Sequence, residues 1–181
     1  RRPTFAHGLA TLALALALPA GGAAAQDAAA EDLGVDLGTP ATAEERVAFP
    51  SSEGIVEAIL AEPVGEEEVP AVMIVHDKDG LDVQQRRMVQ DLADAGFLAL
   101  AVDLGSTTTM AADADFASPD TIEAMPLDAA VENARATAQW LETHLRSNGS
   151  VGAVAFGWGA AVVARVAADD TPLDALVSYY G

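Results

Sequence analysis

Cysteine is absent from this chain of 181 residues. Its absence excludes a disulfide framework, a thiolate metal site and a cysteine nucleophile. Basic residues are also scarce, since nine lysines and arginines stand against 28 aspartates and glutamates, for a formal net charge of -19. Nucleic acid is therefore not an expected partner, because binding it requires a basic surface that displaces counterions. The simplest interpretation of the acidity is a solvated acidic surface, and repulsion of anionic partners is the alternative.

Aromatic residues and histidines are few as well. Aromatic residues make up 5% of the chain and hydrophobic residues 51%, so the core must consist mainly of Ala, Val and Leu. The length is sufficient for one domain with a sizeable core. Of the three histidines, none follows Gly157. The apolar run from Leu9 to Leu18 is too short to span a bilayer, which requires about 20 residues, so no membrane span is expected in the mature chain.

The first 25 residues have the three parts of an export signal. A basic pair at the start precedes the apolar run from Leu9 to Leu18, and small residues at 23–25 provide a cleavage site before Gln26. A buried Ala/Leu helix is the alternative. We expect residues 1–25 to be a signal peptide, the mature protein to be periplasmic or secreted, and residues 26–45 to form a flexible acidic linker.

Residues 46–181 have the pattern of a single α/β domain. Short apolar runs rich in β-branched residues predict strands, and apolar residues at helical spacing predict the helices between them. This alternation predicts a mostly parallel sheet flanked by helices, preceded by an antiparallel hairpin. The predicted strands are a hairpin around Val47–Phe49 and Ile55–Ala61, then Ala71–Val75, Phe97–Val102, Val151–Phe156 and Leu173–Tyr180. The predicted helices are Leu81–Leu92, capped by Asp82 and ended by Gly96, one from Pro126 to Asn148-Gly149, and Gly159–Ala168.

Three segments lie at the carboxyl ends of the predicted parallel strands, where such sheets bind ligands. They are 76–80, 103–109 and 156–159. The last predicts a sharp turn from strand to helix, the geometry that exposes a nucleophile in many hydrolases. The residue at its tip is Gly157, which has no side chain. The amide of Trp158, and a second one from the loop after Val75, plausibly that of Lys78, could donate to a developing oxyanion.

Several segments, in the right order, resemble the dienelactone hydrolase family. Residues 151–161 resemble its nucleophile segment, usually G-F-C-x-G-G, and residues 71–81 resemble its apolar strand followed by H-E-x-x-G-L. Residues 91–103 and 173–181 resemble two further strands of the family, the second ending in Y-Y-G. The resemblance runs from about Val47 to Gly181. It implies an α/β-hydrolase fold and, for active members, hydrolysis of a small lactone or ester through a Cys-His-Asp triad.

The chain departs from the family pattern at the positions that carry the chemistry. Gly157 occupies the nucleophile position, Ala155 replaces the preceding glycine, and Asp77 stands where the family has Glu. No arginine lies between Arg87 and Arg135 to hold a substrate carboxylate. The family continues for two further strands that carry the triad Asp and His, so we expect the last strands and helix of the fold to be missing here.

Individual polar residues have structural as well as functional interpretations. His76, at a strand end, could be a base in the pocket, but a structural hydrogen bond is favoured. His144 is expected near the C-terminus of the long helix, where a cation is favourable. Trp158 could line a pocket or pack in the core, Asp103 is expected to turn the chain, and Ser178 to pack in a buried strand. No metal or cofactor is expected, since Lys78 interrupts the oxygen-rich run at 76–79 and the spacing of metal ligands is lacking.

We therefore expect an exported protein of the dienelactone hydrolase family whose ancestral reaction is hydrolysis of a small ester or lactone. As given, it is predicted to be inactive, because Gly157 replaces the nucleophile and no histidine follows. The alternative is an exported, non-catalytic protein that binds a small molecule, with Gly157 enlarging the pocket floor and the amides of Lys78 and Trp158 holding a small anion. A truncated or decaying gene product is a third interpretation. The sequence predicts no oligomeric state.

Overall fold

The computed structural model describes residues 44–108, 116–169, 171 and 173–181. The predicted signal peptide, 1–25, and all but the last two residues of the predicted linker, 26–45, lie outside the described residues. Within these ranges the chain forms a six-stranded sheet with helices on both faces. The strands are β1 (Glu45–Ser51), β2 (Gly54–Ala61), β3 (Val69–Val75), β4 (Leu98–Asp103), β5 (Ser147–Phe156) and β6 (Ala175–Tyr179). The helices are α1 (Val83–Asp94), α2 (Pro119–Ala124), α3 (Leu127–Glu142) and α4 (Trp158–Ala167), with a 3₁₀ turn at Ser106–Thr108.

The strand order is β1-β2-β4-β3-β5-β6. The predicted hairpin is confirmed, since β1 pairs with β2 in antiparallel register, and β2 in turn pairs antiparallel with β4. The remaining neighbours, β4 with β3, β3 with β5, and β5 with β6, are parallel. The carboxyl ends of β3, β4 and β5 therefore meet at one edge of the sheet, which brings the three predicted loop segments together.

The sheet is buried on both faces at its centre, as the continuous apolar runs predicted. Along β4, Leu98, Leu100 and Val102 pack into the larger core cluster, beneath α3 and α4, while Ala99 and Ala101 pack into the smaller cluster, beneath α1. Small alanines on one face let α1 approach the strands closely. Within the described part of the chain, no helix has both the length and the apolar character needed to cross a membrane.

Helix α1 begins and ends at the predicted signals. The carboxylate of Asp82 accepts hydrogen bonds from the amides of Gln84 (2.6 Å) and Gln85 (3.3 Å), and the side chain of Gln85 accepts one from the amide of Asp82 (2.9 Å). This reciprocal pair is a capping box, which satisfies amides that the first turn leaves without partners. Gly96 follows the C-cap with φ of 95°, the left-handed conformation that glycine adopts without strain.

The long helix α3 was predicted too long. It ends at Glu142, and Asn148 lies in β5, because strand pairing with Val69 begins at Ser147. Leu145, assigned to its apolar stripe, is 91% exposed. Pro126 is the N-cap residue and does not lie in the first turn.

His144 lies near the C-terminus of α3, as expected, although in the turn just after the helix, where its ring packs against Trp140 and its Nδ1 accepts the amide of Arg146 (3.2 Å). One further expectation at this level is wrong. Ser178 is exposed, because β6 lies at the edge of the sheet and all five of its residues are exposed in the described chain. Helix α2 was not predicted, although Ser118 caps it through the amide of Thr121 (3.3 Å) and Pro119 opens it.

Candidate active site

The predicted turn between β5 and α4 consists of a single residue. Gly157 has φ of 47° and ψ of -116°, and lies between Phe156, which ends β5, and Trp158, which begins α4. Glycine accepts such a positive φ without a steric penalty. The amide of Gly157 donates to the carbonyl of Tyr179 (2.8 Å), which ties the turn to β6. At Gly159 an added Cβ would overlap the carbonyl oxygen of His76, so the close passage of helix and loop requires glycine.

Two backbone amides converge on one carboxylate oxygen beside this turn. The amide of Trp158 donates to Oδ1 of Asp77 (2.7 Å), and the amide of Lys78 donates to the same oxygen (2.8 Å). We call these two amides the amide pair. The start of α4 favours a negative charge there, because its first amides have no partners within the helix and the N-terminal end of the helix dipole is positive. The pair predicted to stabilise an oxyanion is thus formed, and the carboxylate of Asp77 occupies it.

The carboxylate of Asp77 also lies where a side chain at the tip would begin. A Cβ built on Gly157 would overlap Cγ and both carboxylate oxygens of Asp77. In the described chain, Oδ2 of Asp77 accepts no hydrogen bond, and Oδ1 alone is held by the backbone. The structure therefore brings together four of the predicted site residues, which are Gly157, Asp77, Lys78 and Trp158.

His76 is a structural residue rather than an available base. It is buried, its Nδ1 lies 2.6 Å from the carbonyl oxygen of Asp77, and its Nε2 accepts the amide of Leu104 (3.2 Å). Because Nε2 accepts a hydrogen bond, the hydrogen of the neutral ring lies on Nδ1 and is donated to the carbonyl oxygen of Asp77. Burial lowers the pKa of His76, which favours this neutral ring. Both ring nitrogens form hydrogen bonds with backbone groups, so neither is available to activate a nucleophile.

Asp103 organises the neighbouring loop, as predicted for a residue that turns the chain. Its side chain is buried, with Oδ1 accepting the amide of Gly105 (3.0 Å) and Oδ2 the amide of Ala117 (2.8 Å). Burial raises the pKa of Asp103 against these hydrogen bonds. This loop extends to α2, and the exposed Lys78 ammonium lies 3.7 Å from Glu123 on that helix.

Asn133 is a buried polar residue for which no role was predicted from the sequence. Its Nδ2 donates to the carbonyl of Leu104 (2.8 Å) and to the Thr107 hydroxyl (3.2 Å), while its Oδ1 accepts from Ser51 (2.7 Å). It thereby ties α3 to β1 and to the loop after β4. The available signal was an amide residue inside the apolar stripe of α3, a position at which polar groups need several partners.

Trp158 was predicted either to line a pocket or to pack in the core, and no metal site was expected. The side chain of Trp158 is partly buried and packs against the larger core cluster. Among the residues that the structure describes, no three acidic or histidine side chains are grouped so that they could hold a metal ion.

The chain is similar to a known family and to several solved structures. The profile of the dienelactone hydrolase family matches residues 56–181. A structure from Klebsiella pneumoniae subsp. pneumoniae MGH 78578 that bears the name dienelactone hydrolase is 22% identical, with a TM-score of 0.64, over 77% of this chain and 60% of that one. A dienelactone hydrolase-like promiscuous phosphotriesterase from metagenomic libraries is 22% identical, with a TM-score of 0.65, over 77% and 59%. An epoxide hydrolase from Vigna radiata is 21% identical, with a TM-score of 0.55, over 75% and 39%.

These identities establish a shared fold and no more, and no curated protein matches the chain. The chain spans about three fifths of the length of the first two structures. The family profile, in contrast, covers more than half of the chain and includes both the loop after β3 and the turn before α4. A match over this span, on a chain that folds as these hydrolase structures do, places the protein in the dienelactone hydrolase family.

Proposed function

We propose that this protein derives from enzymes that hydrolyse a small ester or lactone, and that the chain itself has no covalent hydrolase activity at the turn before α4. The observation that carries the proposal is Gly157 at the tip of the turn, with the carboxylate of Asp77 in the adjacent space. Covalent ester hydrolysis requires a side-chain nucleophile and a base that activates it. Gly157 supplies no nucleophile, and His76 has both ring nitrogens engaged with backbone.

The state of the amide pair supports the same conclusion. An oxyanion hole stabilises the negative oxygen that develops on the substrate, and it must be open to that oxygen. Here both amides already donate to Oδ1 of Asp77. A substrate carbonyl would have to displace a charged acceptor, which is a stronger hydrogen-bond partner than a neutral carbonyl.

Hydrolysis of p-nitrophenyl acetate by the purified chain tests this proposal. We expect a rate no higher than that of the heat-denatured protein, because loss of the nucleophile of a triad removes several orders of magnitude of rate. Saturation kinetics well above the denatured control would refute the proposal. Export, proposed from residues 1–25, is tested separately by locating the processed protein in cell fractions.

A second candidate function is the binding of a small carboxylate without catalysis. The convergence of two amides on one carboxylate oxygen favours it, since the same two donors would suit a carboxylate that entered from solvent. Thermal-shift measurements with small carboxylates test this candidate, because a ligand that binds the folded chain raises its Tm. If no carboxylate in the set raises the Tm, this function is excluded for the chain.

A further inference from the structure

We propose that the Asp77 carboxylate occupies the amide pair as an intramolecular ligand, and that it can do so because residue 157 is glycine. In this position it competes with carboxylates from solvent for the two amides. The inference rests on the carboxylate-binding function proposed above and adds its regulation. It assigns to Gly157 a second effect beyond the lack of a nucleophile. Gly157 makes room for a carboxylate that belongs to the chain itself.

Donors from two separate elements converge on the Asp77 carboxylate. Lys78 belongs to the loop after β3 and Trp158 to the first turn of α4, yet both amides donate to the same oxygen at 2.8 and 2.7 Å. A carboxylate oxygen can accept two such hydrogen bonds at once. The acceptor is charged, so both hydrogen bonds are of the stronger, charge-assisted kind.

The position of the Asp77 carboxylate depends sterically on Gly157. The carboxylate group of Asp77 fills the space that a Cβ on Gly157 would take. The three atoms nearest to that Cβ all belong to this side chain, and none is a backbone atom. The end of a short side chain can move where backbone cannot. A side chain at 157 would therefore displace Asp77 and leave the two amides without their acceptor.

Carboxylates from solvent must compete with Asp77 for the amide pair. When a side chain of the protein occupies a site, an external ligand can bind only the fraction of molecules in which that side chain has left. The apparent affinity for the ligand is reduced by that fraction. Removing the carboxylate of Asp77 should open a space shaped for a carboxylate with two amides in place. Acetate supplies the carboxylate group that the Asp77→Ala substitution removes, together with one methyl carbon beyond the Cβ that alanine keeps.

Amide proton shifts of Lys78 and Trp158, measured by NMR in the full chain, test the proposal directly. We expect both signals to move upfield in Asp77→Ala, and added acetate to return them toward their wild-type positions. The acetate concentration at half-saturation should be on the order of tenfold lower in Asp77→Ala than in the wild type. Asp77→Asn keeps an oxygen beside the two amides but loses the charge that strengthens their hydrogen bonds, so its half-saturation by acetate should fall between those of the wild type and Asp77→Ala.

Three results would overturn the proposal. Unchanged Lys78 and Trp158 signals in Asp77→Ala would show that the carboxylate does not occupy the amide pair. An acetate response of Asp77→Asn equal to that of Asp77→Ala would show that charge, and not occupancy, excludes the anion. Absence of any acetate response in Asp77→Ala would show that the pair is not a carboxylate site. The binding function fails separately, if Asp77→Ala binds acetate but no carboxylate raises the Tm of the wild type.

Gly157→Ala provides an independent variant if Asp77→Ala does not fold. It should shift the Lys78 and Trp158 signals in the same direction, because the new methyl group displaces the carboxylate. Gly149→Ala is the matched control, since Gly149 also has a positive φ, 89°, but an added Cβ there meets nothing within 4 Å. It also places alanine at a positive φ and should leave both signals in place. Unmoved signals in Gly157→Ala would contradict the steric link.

Discussion

His76 makes the stability of the fold dependent on pH at the scale of a single residue. Burial lowers its pKa, so the unfolded chain binds the proton more readily than the folded chain does. Stability is then complete above the unfolded value of about 6.5 and falls as the pH drops below it. Protonation would also place a hydrogen on Nε2, opposite the amide of Leu104. We expect the free energy of unfolding, measured with urea, to decrease from pH 7 to pH 5.5.

The comparison with His76→Gln isolates this contribution. Burial raises the pKa of Asp103, so the folded chain takes up that proton more readily and stability increases as the pH falls through that raised value. This opposing contribution is present in both proteins, and so are the carboxylates of Asp77 and Asp82 that face the ring. The variant should therefore be less stable at pH 7 but less sensitive to acid. An equal loss in both proteins would show that His76 is not the titrating group.

The candidate site shows what the sequence could and could not predict about residues. Backbone amides follow from the order of strand, turn and helix, so the roles of Lys78 and Trp158 as donors were predictable and the structure places both at one point. The position of the Asp77 carboxylate was not predictable, because it depends on a side-chain rotamer and on the space left by Gly157. The buried role of Asn133 was missed for a similar reason, since its three partners come from distant segments.

At the scale of elements, the capping box of α1 offers a direct test of local stabilisation. Asp82→Ala removes the acceptor for the amides of Gln84 and Gln85, and we expect it to lower the free energy of unfolding by about 1 kcal/mol. Asp79→Ala is the matched control, because it removes the same charge from an exposed residue three positions earlier. Chemical denaturation of both variants measures the difference. Equal losses would show that charge, and not the cap, stabilises this end of α1.

Elements were predicted well where burial or a clear capping signal, as at Asp82 of α1, decides them, and poorly where strand pairing or sheet position does. The apolar runs of β3, β4 and β5 indicated strands covered on both faces, and these strands form the centre of the sheet. The end of α3 depends on the pairing of Ser147 with Val69, a long-range contact that leaves Leu145 exposed in the turn. The exposure of β6 follows from its place at the sheet edge, which no local pattern specifies.

At the scale of the whole molecule, the net charge of -19 should make stability depend on salt. Like charges repel in the compact state, and salt screens this repulsion as the Debye length falls from about 10 Å at 0.1 M to about 3 Å at 1 M. Salt also weakens exposed ion pairs such as Arg46–Glu57 (3.0 Å), but each contributes only about 0–1 kcal/mol. We therefore expect the Tm to rise with added KCl.

The exposed acidic loop between β2 and β3 allows this expectation to be tested against a matched variant. Replacing Glu66, Glu67 and Glu68, all exposed, with lysine makes the net charge less negative by two at each position. If repulsion across the whole molecule limits stability, the variant has a higher Tm than the wild type at low salt, and its Tm rises less with KCl. A wild-type Tm that stays constant or falls with KCl would contradict the argument, because the ion pairs would then outweigh the repulsion. An equal rise in both proteins would assign the salt effect to general solvation and not to charge.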